Sequence, residues 1–130
     1  MKVYWDKWDR VYDIGGETEA TSFNEIESFI KRLDQSTYSL IILNGNENSL
    51  TIGGGEGQYV VIFTIGIDDD FYTLINCDKK DVEKDVPVVT GGQGGLFPEK
   101  IVVNYSSVIE ASRYYFEHFD KNPQLLWINE

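Results

Sequence analysis

Four apolar runs, Tyr38–Leu43, Leu50–Ile52, Tyr59–Ile67 and Phe71–Ile75, follow one another with only a few residues between them, many of these Gly, Asn or Asp. A parallel crossover needs a dozen or more residues, so neighbours this close are joined by hairpins. The runs are rich in Val, Ile, Tyr, Phe and Thr, which suit a pleated, half-buried surface. They predict an antiparallel meander. A fifth run, Val86–Thr90, and three shorter ones, Val3–Trp5, Ile101–Val103 and Leu125–Ile128, are further strand candidates.

Two segments carry helical periodicity instead. Phe23, Ile26, Phe29, Ile30 and Leu33 recur at three- and four-residue spacing, and Ser22 with Glu25 has the form of a capping box. Ser107 with Glu110 repeats that form ahead of Ile109, Ser112, Tyr115 or Phe116, and Phe119. Each helix has one apolar face and needs a sheet to cover it. The expected architecture is α+β, a mostly antiparallel sheet with two amphipathic helices packed on one face. At 130 residues, without internal repeats or a low-complexity linker, the chain reads as a single domain over residues 1–130.

The formal charge is −11, and its distribution says more than its sum. No Lys or Arg occurs from Leu33 through Asp78, whereas Asp34, Glu47, Glu56, Asp68, Asp69, Asp70 and Asp78 all do. Such a field repels nucleic acid and anionic membranes and attracts a basic partner. Acids and tryptophans near Met1 stand where a secretory signal requires an apolar stretch, and Tyr59–Ile67 is too short to span a bilayer. With a lone Cys77, unable to form an internal disulfide, these features lead to the expectation of a soluble cytoplasmic protein.

No catalytic set emerges from the residue types. His118 is the sole histidine and falls in the last turn of the second helix, where a cation complements the macrodipole. Cys77 ends an apolar run beside Asp78, an environment for a buried, unreactive thiol. One Cys and one His do not supply a zinc site, and Asp68-Asp69-Asp70 lacks the alternating ligands and downstream Glu of a calcium loop. No metal or cofactor is expected. Gly53-Gly54-Gly55-Glu56-Gly57 has no lysine and no following helix, so it reads as a hairpin turn or bulge rather than a phosphate loop. Gly91 to Gly95 reads as a backbone shape reserved for glycine, or as a partner contact. Asp68, Asp69 and Asp70 fit a solvated hairpin tip or a charged contact. Trp5 and Trp8 fit packing or an interface anchor.

One ordered series runs Gly91, Gly92, Gln93, Pro98, Val102, Val103, Glu110, Ala111, Phe116, Pro123 and Trp127. It resembles the C-terminal half of immunity protein family one, whose members stand beside bacterial polymorphic and contact-dependent toxins and neutralise them. The series covers about a third of the chain and departs where a glycine is expected after the helix. Asp120-Lys121-Asn122 stands there instead, with Asn122 able to cap the helix in a left-handed conformation. The resemblance implies a cytoplasmic inhibitor with no enzymatic activity that binds one cognate C-terminal toxin domain, a nuclease or deaminase with a basic groove. Asp68, Asp69, Asp70, Glu47, Glu56, Trp5 and Trp8 are the candidate contacts. Two rival readings use the same acids: a small carboxylate-dependent hydrolase, and an acidic adaptor domain with no toxin.

Overall fold

The computed structural model describes residues 1–66 and 70–129. Strands β1 (Lys2–Trp5), β2 (Trp8–Asp9), β3 (Tyr12–Asp13) and β4 (Gly16–Glu19) precede helix α1 (Phe23–Arg32). The meander follows as β5 (Leu40–Asn44), β6 (Asn48–Gly55), β7 (Gln58–Ile65) and β8 (Asp70–Leu74). A ribbon of β9 (Asp85–Thr90) and β10 (Gln93–Pro98), helix α2 (Tyr105–His118) and β11 (Trp127–Asn129) complete the described elements. The main sheet has the order β11-β8-β7-β6-β5-β1-β4, and its pairings are all antiparallel. The fold is therefore α+β with the expected meander at its centre.

Strand alternation divides the sheet residues between two faces. Val3 lies opposite Leu43, Leu43 opposite Leu50, and Leu50 opposite Phe63, which makes one continuous buried row. Ile41, Ile52 and Val61 form a second such row, and the helices cover both. Helix α1 contributes Phe23, Ile26 and Ile30; α2 contributes Val108, Ala111 and Tyr115. The other face carries the row Glu17, Tyr4, Ile42, Thr51, Ile62 and Thr73, and among the described residues both α-helices pack on the opposite, core-facing side.

The helix ends differ in part from the sequence expectation. Ser22 caps α1 by accepting from the Glu25 N–H at 3.4 Å, but the Glu25 carboxylate turns to the Thr21 hydroxyl, so only half of the capping box forms. Asn104, not Ser107, caps α2; its Oδ1 accepts the Ser107 N–H at 2.9 Å, which places Ser107 inside the first turn. Phe119, not Asn122, takes the left-handed position at the helix end, with φ of 57°. It is held there because Asn48 Nδ2 donates to its carbonyl. Ile101–Val103 is not a strand. The chain makes a 3-10 turn over Glu99–Ile101, and Val103 alone bridges to Tyr59. Cys77 is exposed, because the apolar run stops at Ile75 and Asn76 caps a second short turn, Cys77–Lys79.

The ribbon lies across one end of the helix-free face and is fixed there by glycines. A Cβ at Gly53 would come within 2.6 Å of Thr90 Cγ2, so β9 approaches β6 only because Gly53 has none. Gly91 and Gly92, with φ of 59° and 77°, form the tight turn between β9 and β10. A Cβ at Gly92 would overlap the Trp8 indole. Gly94 and Gly95 sit instead in β10, and Gly94 has no positive φ. Gln35 clamps the ribbon from below, receiving the Val89 N–H at 2.8 Å while donating to the Gly55 carbonyl at 2.9 Å.

Two outcomes follow. Gly92→Val meets both a left-handed φ and the Trp8 ring, so it should cost at least about 2 kcal/mol and lower the melting temperature by several degrees. Gly94→Val, on extended exposed backbone, should leave thermal melting nearly unchanged. Equal effects in paired melting curves would overturn this assignment of roles.

Tyr115 and Tyr105 generate the second outcome. Burial, first of all, pushes the Tyr115 phenol up to about 12. Burial and then the hydrogen bond to Glu27 do the same for Tyr105, also to about 12. Because the folded chain holds these protons more tightly, their contribution is fully present below about pH 10 and is lost as pH rises towards about 12. Urea unfolding across that window should show falling stability. The fall should be shallower in Tyr115→Phe.

Candidate functional site

The helix-free face is left open where the ribbon ends, and two concavities there share Tyr4 and Ile42. The first, about 420 Å³, is lined by Tyr4, Trp5, Asp6, Asp13, Gly15, Gly16, Glu17, Leu40 and Ile42. The second, about 570 Å³, continues along β5 and β6 to Asn46, Glu47, Ser49 and Gly66. Together they form one trough across the β4, β1 and β5 side of the sheet. Tyr4, Leu40 and Ile42 make an apolar floor. Asp13 stands at one end, Glu47 at the other, and Glu17 beside Tyr4 on the outer strand.

Local chemistry explains the walls. The β2–β3 hairpin is pinned by Asp13, whose Oδ1 accepts the Lys7 and Gly15 N–H groups, both at 2.9 Å. Trp8 N–H donates to the Thr37 carbonyl at 2.8 Å and anchors the same hairpin to the loop ahead of β5. At the opposite end, the β5–β6 turn is shaped by Asn46 at φ of 80°, and the Glu47 carbonyl accepts the Gly66 N–H at 3.0 Å.

Asp6 lines the trough but directs its carboxylate inward and is only 3% exposed. Its Oδ1 accepts the Ser39 N–H at 2.7 Å and the Leu40 N–H at 2.9 Å; its Oδ2 accepts the Ser39 hydroxyl and, at 2.8 Å, the Trp8 indole N–H. Ser39 Oγ in turn accepts the Gly92 N–H at 2.8 Å. One buried acid therefore joins β1, β5 and the ribbon turn.

The residues singled out in the sequence do not converge. Trp5, Trp8 and Glu56 lie at the ribbon end of the sheet, and Glu47 and Asp70 at the other. Trp5 stacks on Phe29 with ring centroids 5.2 Å apart, and the Arg32 guanidinium lies 5.4 Å from its ring. Trp8 is committed to Asp6 and Gly92. Glu56 is exposed at the β6–β7 turn with φ of 56°. Asp70 is exposed at the start of β8, opposite Ile65. Asp68 and Asp69 lie outside the described residues. The trough thus takes in Trp5 and Glu47 and adds Tyr4, Asp13, Glu17 and Ile42. The missed signal was alternation in Lys2-Val3-Tyr4-Trp5, where Val3 faces the core and Tyr4 must face away.

Charge follows the same division. Across β1, β4, β5, β6, β7, β8 and β11, Lys2 is the single Lys or Arg, and it sits opposite Glu19. Glu19 also holds the chain's terminal ammonium at 3.0 Å. Neither Glu17 nor Glu47 is ion-paired among the described residues. Chemically, the arrangement suits recognition of a cation-bearing surface through an apolar floor and acidic ends. His118 is exposed, its ring 4.3 Å from that of Tyr114, and Cys77 lies on a separate turn. Among the described residues, no three His, Cys, Asp or Glu side chains are grouped to hold a metal, and no helix is long and apolar enough to cross a membrane. Compared with models of known protein families and with curated proteins, the chain matches none.

Proposed function

We propose that this protein is a cytoplasmic immunity protein that binds a cognate bacterial toxin domain and keeps it inactive by occupying its active site or substrate groove. The observation that carries this reading is the helix-free sheet face: Lys2 is the one Lys or Arg in the described strands of the main sheet, and acids stand at both ends of an apolar trough. A nuclease or deaminase presents a basic groove to nucleic acid, and an acidic face of this kind competes for it by charge. The ordered residues from Gly91 to Trp127 support the same reading through their resemblance to immunity protein family one. Inhibition by occupancy requires no nucleophile and no acid–base pair in this chain.

The test is co-expression with the product of the adjacent upstream gene, followed by purification of the complex and assay of nucleic-acid cleavage or deamination. A stable complex, silenced activity and an association rate that falls as salt rises are the expected results. A neighbouring toxin that is neither captured nor silenced by excess protein would overturn the proposal. His118→Ala combined with Cys77→Ser should protect cells as well as the unaltered protein, since both side chains are exposed and away from the trough. Loss of protection by the folded double variant would point to chemistry rather than occupancy.

A further inference from the structure

We infer that the trough over Tyr4 and Ile42 is the seat of an extended, cation-bearing segment of the partner protein. This deepens the toxin-binding reading and rests on it. The floor is a cross-strand pair, Tyr4 opposite Ile42, continued by Leu40 on the same face of β5. Glu17 pairs with Tyr4 from the outer strand and flanks the middle of the floor, and Asp13 closes the Leu40 end through the β2–β3 hairpin. Glu47 closes the other end on the β5–β6 turn. Asn44, Asn46 and Ser49 line the second half with amide and hydroxyl groups that suit a peptide backbone.

The shape selects the occupant. A trough that follows β5 from Leu40 past Asn44 is about 15–20 Å long, the length of five or six extended residues. A helix pairs its N–H and C=O groups internally and would leave the amides and hydroxyl of Asn44, Asn46 and Ser49 without backbone partners. An extended chain instead places alternate side chains on the floor and sends the intervening ones outward. Charge selects further. Asp13, Glu17 and Glu47 repel phosphate and acidic peptides, whereas Lys or Arg residues at the two ends of the segment would meet a carboxylate at each. The apolar side chain between them would cover Tyr4 and Ile42, both partly exposed in the free protein.

Two variants and two ligands test this. The full chain carrying Glu17→Lys and Glu47→Lys is compared with one carrying Asp81→Lys and Glu83→Lys, which makes the same change in net charge on an exposed segment outside the trough. Against the toxin encoded by the neighbouring gene, the trough variant should bind about tenfold more weakly, and the control should stay within about twofold of the original. Equal weakening by both variants, or none by the trough variant, would overturn the trough while leaving toxin binding intact. The second ligand is a peptide of about eight residues with a Lys at each end and alternating Val and Ser between them, an extended chain with cations spaced as above. Its addition should shift the amide NMR signals of Tyr4, Ile42 and Ser49 in the original chain and not in the trough variant. Shifts spread over the surface, or retained in the trough variant, would overturn the inference. A toxin that the original chain does not bind would instead defeat the functional reading, and the peptide result would then decide the trough by itself.

Discussion

The Asp6 carboxylate holds together three parts of the chain that no single strand pairing joins. Burying an ionised acid is unfavourable unless its oxygens are satisfied. Here two backbone N–H groups, one hydroxyl and one indole N–H do so. Removal of that acid would strand every one of those donors, so the β1–β2 bend, the start of β5 and the ribbon turn depend on a common centre. Trp8 is the mechanical link. Its indole N–H bonds Asp6 while the same edge of the ring lies against Gly92, which is why the turn at Gly92 has no room for a side chain.

That centre also sets what the helix-free face can offer. By holding the ribbon over Gly53 and Val60, it covers one end of the face and leaves the Tyr4 and Ile42 end open. The covered end supplies core, with Val88 and Val60 nearly inaccessible. The open end supplies a concave surface whose floor lies on paired strands, an arrangement ordered in advance of any contact.

Elements with strong local signals were legible in the sequence. The meander followed from the close spacing of apolar runs, and α1 from its periodicity and from Ser22. The errors occurred where a tertiary contact outweighed the local pattern. Asn104 displaced Ser107 as a cap because both sit at plausible positions and only the path of the chain after Val103 chooses between them. Phe119 adopts a left-handed conformation that its own side chain disfavours, because Asn48, far away in sequence, bonds its carbonyl. The candidate site was harder still. Glu47 and Trp5 were identified as acid and aromatic residues, but their separation across the sheet depends on strand order, which places β1 between β5 and β4. Without that order nothing joins Glu17 to Ile42.

The sheet ends in β4 at one flank and β11 at the other, strands of four and three residues. An open strand edge is a template for unwanted pairing between molecules, and length is what makes it dangerous. Here Glu17 and Glu19 alternate along the β4 flank, so two copies meeting edge to edge would bring like charges together. The ribbon is guarded by another device, because Pro87 and Pro98 interrupt its rows of backbone donors. The rims of the sheet are thus short or acidic and those of the ribbon proline-interrupted, which disfavours edge-to-edge pairing between copies and leaves the broad side of the sheet as the larger open surface.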